Sequence, residues 1–269
     1  MLVKNDTDIS TAWELITTLA AGGRYHFTSA EARSALGVSP AAAKLAVHRL
    51  ARQGLVASPA RGFYVILPPE YQRLGCLPAE QFIPVLMERL RLRYYAGLLT
   101  AAQFHGAAHQ RPQEFQVIIA RNRRPIACGA VRVAFIARKR LDEVPVRRFN
   151  TPRGTISVST VEATAVDLVG YEHHAGGLNQ VANVLAELSG QIDPDLLAAA
   201  ALSAPVPWAQ RLGYLLELVG AADRVAPLKA YVSSNARNYT YLQPAGRRSN
   251  VKRSPCWKLY VNADVEIET

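Results

Sequence analysis

The chain has 269 residues, 49% of them hydrophobic and 19% charged, which suits one large or two ordinary globular domains and excludes a disordered polymer. Lys and Arg number 31 against 21 Asp and Glu, a net charge of +10 that favours polyanionic partners, nucleic acid first. The three cysteines, Cys76, Cys128 and Cys256, lie too far apart for a disulfide scaffold or a zinc ribbon.

In chain order, Ser10–Ala21 reads as a helix, with Trp13, Leu15, Ile16, Leu19 and Ala20 at helical spacing and Ser10 as its N-cap. Gly22-Gly23 ends it. Thr28 and Glu31 then have the spacing of a capping box and open a second helix through Leu36. After the turn at Gly37-Val38, Ser39 caps a third helix, Pro40–Gln53, with Pro40 at its first position. This helix has an apolar stripe of Ala43, Val47 and Leu50. Its opposite face carries Ala41, Lys44, Leu45, His48 and Arg52, with Arg49 beside them. Strands are expected at residues 55–57 and 63–67, joined by a turn with Arg61 near its tip.

Two helices across a tight turn, followed by a hairpin, make a winged helix-turn-helix, whose second helix enters the DNA major groove. The residues expected to face DNA are Ser39, Lys44, His48, Arg49, Arg52 and Arg61. Pro68-Pro69 and the polar stretch to Pro78 read as a linker. The expected division is a winged-helix domain over residues 1–75 and a second domain over residues 76–269.

In the second part, residues 84–106 read as helical, 114–120 as a strand, 131–137 as a partly exposed strand and 155–159 as another. Four helices follow, over 161–171, 178–189, 195–202 and 208–219, and a closing strand covers 257–262. The expected fold class is α+β: a winged helix followed by a larger mixed domain with a small sheet and a helical bundle. The most apolar stretch, Leu196–Ala204, is stopped by Pro205 and falls far short of the roughly 20 residues needed to span a bilayer. With the polar opening MLVKNDTD, which has no signal-peptide pattern, it gives the expectation of a cytoplasmic protein without a membrane partner.

The charge is concentrated in blocks. Residues 111–153 hold eleven basic against three acidic residues, and residues 237–258 hold six basic residues and no acid; between them, residues 160–200 hold six acids and no Lys or Arg. A basic surface that meets DNA phosphate, or a toxin or RNA, is expected at Arg121, Arg123, Arg124, Arg138, Lys139, Arg140, Arg247, Arg248, Lys252 and Arg253.

A winged helix followed by YYAGLLTAAQFHGAAHQRP, then ISVSTVEATAVDLVGY, GGLNQVANVLAEL, RLGYLLEL and WKLYVN, resembles the AbiEi-type antitoxins of type IV toxin–antitoxin systems, linked to abortive phage infection. The order of these loose words carries the resemblance, and it spans nearly the whole chain. It implies a repressor that binds inverted repeats upstream of its own operon; cooperative binding to double-stranded DNA by a chain monomeric in solution is a separate expectation, with the oligomeric state left open. It also implies neutralisation of a nucleotidyltransferase toxin through the C-terminal domain, by direct contact or otherwise.

Catalytic constellations are weak. His105 and His109 have i, i+4 spacing but nothing completes an HExxH site, and Glu172-His173-His174 sits at a helix end. Gly176-Gly177 lacks any phosphate-loop context, and no GxSxG is present. Glu162 reads as a first-turn carboxylate; with Asp167, Glu217 and Lys229 it leaves a nuclease-like site open. No catalytic residue, metal or cofactor is expected. A repressor and antitoxin is the leading reading. The alternatives are a ligand-responsive winged-helix regulator without a toxin partner, and a nuclease-like enzyme of nucleic-acid metabolism.

Overall fold

The computed structural model describes residues 3–107, 113–249 and 251–267, with side chains from residue 12 onward. The head comprises α1 (Val3–Ala21), β1 (His26–Thr28), α2 (Ser29–Leu36), α3 (Pro40–Arg52), β2 (Val56–Ala60) and β3 (Phe63–Ile66), the strands forming an antiparallel sheet in the order β1-β3-β2. Each start and stop has a local cause. The Thr28 hydroxyl accepts from Glu31 N–H while the Glu31 carboxylate accepts from Thr28 N–H, the reciprocal capping box, and Gly37 ends α2 in the left-handed region at φ 63°. The Ser39 hydroxyl then caps α3 by accepting from Ala42 N–H at 3.3 Å.

The head core is made of Ala12, Ile16, Phe27, Ala46, Val47, Leu50, Val56 and Ile66. The first helix departs from expectation. Ser10 lies inside α1 rather than at its cap, and Trp13 is 47% exposed, because Ala12 and Ile16 define the inward face.

The body begins with α4 (Ala79–Leu90), β4 (Tyr94–Ala96) and α5 (Leu98–Phe104), where a single helical stretch was expected. Arg91 stops α4 in the left-handed region at φ 54°, and the alternation in Arg89-Leu90-Arg91-Leu92-Arg93 gives way to a strand held between two neighbours. The chain continues through β5 (Phe115–Ile119), β6 (Ile126–Cys128), β7 (Val131–Ala137), β8 (Val146–Thr151) and β9 (Gly154–Ser159). With β4 these strands form a six-stranded mixed sheet, order β6-β7-β5-β4-β9-β8, larger than the small sheet expected. Within it β5 runs parallel to β7 and antiparallel to β4.

Five helices follow: α6 (Val161–Gly170), α7 (Leu178–Leu188), α8 (Pro194–Ala201), α9 (Val206–Leu218) and α10 (Ala226–Asn235), of which the last had not been anticipated. A second small sheet, order β10-β12-β11, is built from β10 (Thr240–Tyr241), β11 (Lys252–Ser254) and β12 (Leu259–Val261).

The large sheet is covered on both faces, which explains the unbroken apolar run Val117-Ile118-Ile119 in β5. Ile118 faces the helical bundle with Tyr95, Ile136 and Leu185. Val117 and Ile119 face α4 and the head, packing with Phe82, Leu86, Phe63 and Val65. The stretch expected as a linker takes part in this second core: Cys76 and Leu77 are buried in it, and Ala130 N–H donates to Leu74 C=O at 2.8 Å. A Cβ at Gly129 would lie 2.7 Å from Gly75 Cα, so main chain meets main chain here and glycine is required. Among the described residues no helix is long and apolar enough to cross a membrane.

Candidate nucleic-acid interface

In α3, burial of Ala43, Ala46, Val47 and Leu50 turns the opposite stripe outward. Lys44, Leu45, His48 and Arg52 are exposed; Arg49 is half-buried, and Ser39 is exposed with its hydroxyl engaged in the cap. The wing tip at Arg61-Gly62 stands beside this stripe. Between them lies a groove of about 550 Å³ lined by Ser29, Arg33, Lys44, Arg61 and Tyr64. Arg33 joins the expected cations here through α2, a placement that its position outside α3 did not suggest. Among the described residues Lys44, Arg52 and Arg61 form no ion pair, so their charge is available to a polyanion.

The head is fixed to the body by arginines. Arg153, in the turn between β8 and β9, stacks its guanidinium 3.3 Å from the Tyr25 ring centre and donates from Nε to Gln81 Oε1 at 2.6 Å. Arg89 lies over Phe63 at 5.9 Å.

A second cationic region gathers at one end of the large sheet. Because β5 and β7 are parallel and in register at Ile119 and Ala137, the residues after both strands emerge together. Arg121, Arg123, Lys139 and Arg140 line a cleft of about 700 Å³, joined by Arg91 and Arg93 at the entry to β4. The period-two alternation in Arg89–Arg93 was the signal for these last two. Arg124 is exposed nearby, and Arg123 is half-buried over the Phe135 ring at 5.5 Å. Arg93 pairs with Asp142 at 2.6 Å and Arg140 with Glu143 at 3.6 Å, both pairs exposed to solvent.

Arg138 borders this cleft but turns its side chain away from it into the core. It is 3% exposed, and its Nε donates to Asp167 Oδ1 at 2.9 Å. Its other nitrogens donate to Ser203 O and Oγ at 3.2 and 3.1 Å, while Tyr95 donates its hydroxyl to Asp167 Oδ2 at 2.6 Å. Burial pushes the Asp167 carboxyl up against the opposing pull of Arg138, and pushes the Tyr95 phenol up as well. On Arg138 burial pulls down, but Asp167, Tyr95 and Tyr171 together outweigh it and hold the guanidinium above its ordinary value. The expectation of a surface charge fails here because the alternation of β7 carries on past Ala137 and turns this side chain inward.

The remaining basic residues, Arg247, Arg248, Lys252 and Arg253, are exposed on and around the small C-terminal sheet, Arg247 within 3.9 Å of Asp264. Several of the residues considered for chemistry are engaged structurally. Glu162 lies in the first turn of α6 and accepts from Asp193 N–H at 3.2 Å. Glu217 accepts from Trp257 Nε1–H at 2.7 Å and pairs with Lys229 at 3.5 Å. The His105 ring is 2.7 Å from Ser159 C=O, and His109 lies outside the described residues. Among the described residues no three His, Cys, Asp or Glu side chains gather as a metal site would require.

Two family models match the chain. Residues 14–66 match the model described as "Transcriptional regulator, AbiEi antitoxin", and residues 95–218 match the "AbiEi antitoxin C-terminal domain". Among solved structures, the crystal structure of the RV2827C protein from Mycobacterium tuberculosis superposes with a TM-score of 0.68 at 18% identity, over 94% of this chain and 90% of that one. At that identity the likeness concerns the fold. No match is found among curated proteins. The two matches fall in the order head then body and together take in more than half of the sequence: the chain belongs to the AbiEi antitoxin family.

Proposed function

We propose that this protein represses its own operon by seating α3 in the major groove of operator DNA, and that its body neutralises a nucleotidyltransferase toxin. The observation that carries the reading is the outward stripe of α3, where Lys44, His48 and Arg52 stand exposed and Lys44 shares a groove with Arg61 of the wing. Side chains four apart share a helix face, and the turn between α2 and α3 leaves that face open to a duplex. The family to which both halves belong supports pairing a DNA-binding head with an antitoxin body. Operator DNA in this reading consists of inverted repeats, bound cooperatively by monomers.

Promoter DNA titrated with the parent and with the K44A/H48A/R52A variant tests the head. Each base-reading contact removed costs about 1–3 kcal/mol of affinity. Equal affinity for parent and variant defeats the assignment of α3. The body is tested by reversing Arg121, Arg123, Arg124, Lys139 and Arg140 to Glu, leaving Arg138 in place, and co-expressing the variant with the nucleotidyltransferase proposed as its toxin. Growth is lost with the charge-reversed body and kept with the α3 variant at equal protein levels. The opposite pattern overturns the division of labour.

A further inference from the structure

The small C-terminal sheet presents a surface that neither half of the proposed function uses, and it lies outside both family matches. Its inner face is fixed by Leu259 and Leu242, both fully buried in the helical core, and by Trp257 packed onto Gly213, where a Cβ would lie 2.1 Å from the ring. Strand alternation sends the intervening residues outward. Tyr241 is the cross-strand partner of Tyr260, and Tyr260 is the partner of Arg253, so the three form a row across β10, β12 and β11. Tyr239 extends the row along the chain. Ring centres lie 5.2 Å apart for Tyr239 and Tyr260, and 5.0 Å apart for Tyr241 and Tyr260.

Two guanidiniums border this platform. Arg253 lies 5.5 Å from the Tyr260 ring centre and 5.9 Å from that of Tyr239, and Arg248 lies 5.6 Å from Tyr241. Arg248 and Arg253 are exposed, Tyr239 is 36% exposed, Tyr241 and Tyr260 are half-buried, and among the described residues none of the three phenol hydroxyls makes a hydrogen bond within the protein. A sheet held rigid from behind therefore shows aromatic faces, guanidinium planes and cationic charge together.

We infer that this face binds a single-stranded polynucleotide, its bases stacking on Tyr239, Tyr241 and Tyr260 and its phosphates meeting Arg248, Lys252 and Arg253. Free base faces are what a single strand offers and a duplex hides, and stacking on aromatic and guanidinium planes is how such strands are held without sequence preference. The positive charge suits the phosphates. Ribose and deoxyribose strands share this chemistry.

The test uses the full chain with fluorescently labelled 12-nucleotide oligouridylate and oligothymidylate, read by anisotropy. Both are expected to bind. Y239L/Y260L weakens binding by at least about tenfold, whereas Y239F/Y260F, which keeps the ring faces, stays within about twofold of the parent. Tighter binding of one oligonucleotide identifies the natural sugar; equal binding also supports the proposal. The K44A/H48A/R52A variant, impaired toward duplex promoter DNA in the reading above, retains single-strand binding, so failure of one proposal leaves the other standing. The inference is overturned if the parent binds neither oligonucleotide, if the leucine and phenylalanine variants weaken alike, or if only an acidic protein occupies the face.

Discussion

The stripe on α3 and the arginines at the strand ends of the body are both rich in cations, yet they are built on different terms. On α3 the charged residues project from a helix whose inner face alone is committed to packing, so Lys44 and Arg52 remain exposed. At the ends of β5 and β7 the same residue types are divided between roles. Arg138 is taken into the core by Asp167, Tyr95 and Ser203, while Lys139 and Arg140, next in sequence, stay in solvent. A count of positive charge treats these arginines alike; what differs is desolvation, which costs several kcal/mol for a buried ion and nearly nothing for an exposed one.

The largest expected effect sharpens that contrast. R138A strands the Asp167 carboxylate and should cost about 3–5 kcal/mol of stability, whereas R140A should stay within about 0.5 kcal/mol. Denaturant titration of both variants checks this, and equal midpoints would erase the distinction between the two arginines.

The next comparison concerns the exposed cations alone. R61A, at the wing, should weaken promoter binding uniformly across sequences and reduce the log–log salt slope by about 1 if it meets one phosphate. R123A should leave that slope unchanged if the strand-end cleft takes no part in holding DNA. Titration at several salt concentrations separates them, and matching slope changes would merge the two regions into one DNA-binding surface.

The smallest effect lies inside the head. Burial pushes the Glu31 carboxyl up, but the Arg24 guanidinium and the Thr28 hydroxyl and N–H outweigh it and hold the group below its ordinary value of 4.5. A carboxyl depressed on folding adds stability that is complete above that ordinary value and lost as pH falls through the folded one. Since Glu31 is 42% exposed, the loss should amount to less than about 1 kcal/mol. Thermal melts between pH 6 and about pH 3 should show a steeper decline for the parent than for E31Q.

The head was legible because its signals are local. Thr28 and Glu31, Gly37, and Ser39-Pro40 each act within a few residues, and the stripe of Ala43, Val47 and Leu50 repeats at helical spacing. The body hid several of its strands, by shortness or by exposure at a sheet edge. β4 has only three residues and sits between helices. β6 is equally short, and β8 is a sheet-edge strand with little burial, so Val146–Thr151 shows no apolar alternation. The fate of Arg138 was hidden for another reason: Asp167, Tyr95 and Ser203 come from α6, β4 and the turn after α8, distant positions that only the fold brings together. The aromatic row of the C-terminal sheet was missed alongside its arginines because Tyr239, Tyr241 and Tyr260 become neighbours only through strand pairing.

The seam where Gly129 meets Gly75 has a consequence for geometry on DNA. With the Leu74–Ala130 hydrogen bond on one side, Cys76 sunk in the core and Arg153 stacked on Tyr25, the head is a bracket rather than a swivel. In the proposed complex, the screw of the double helix then dictates where each body points. Two molecules on repeats one full turn apart, about 34–36 Å, would carry their bodies on the same side of the duplex. Half a turn of added spacing would throw the second body to the far side, beyond reach of the first.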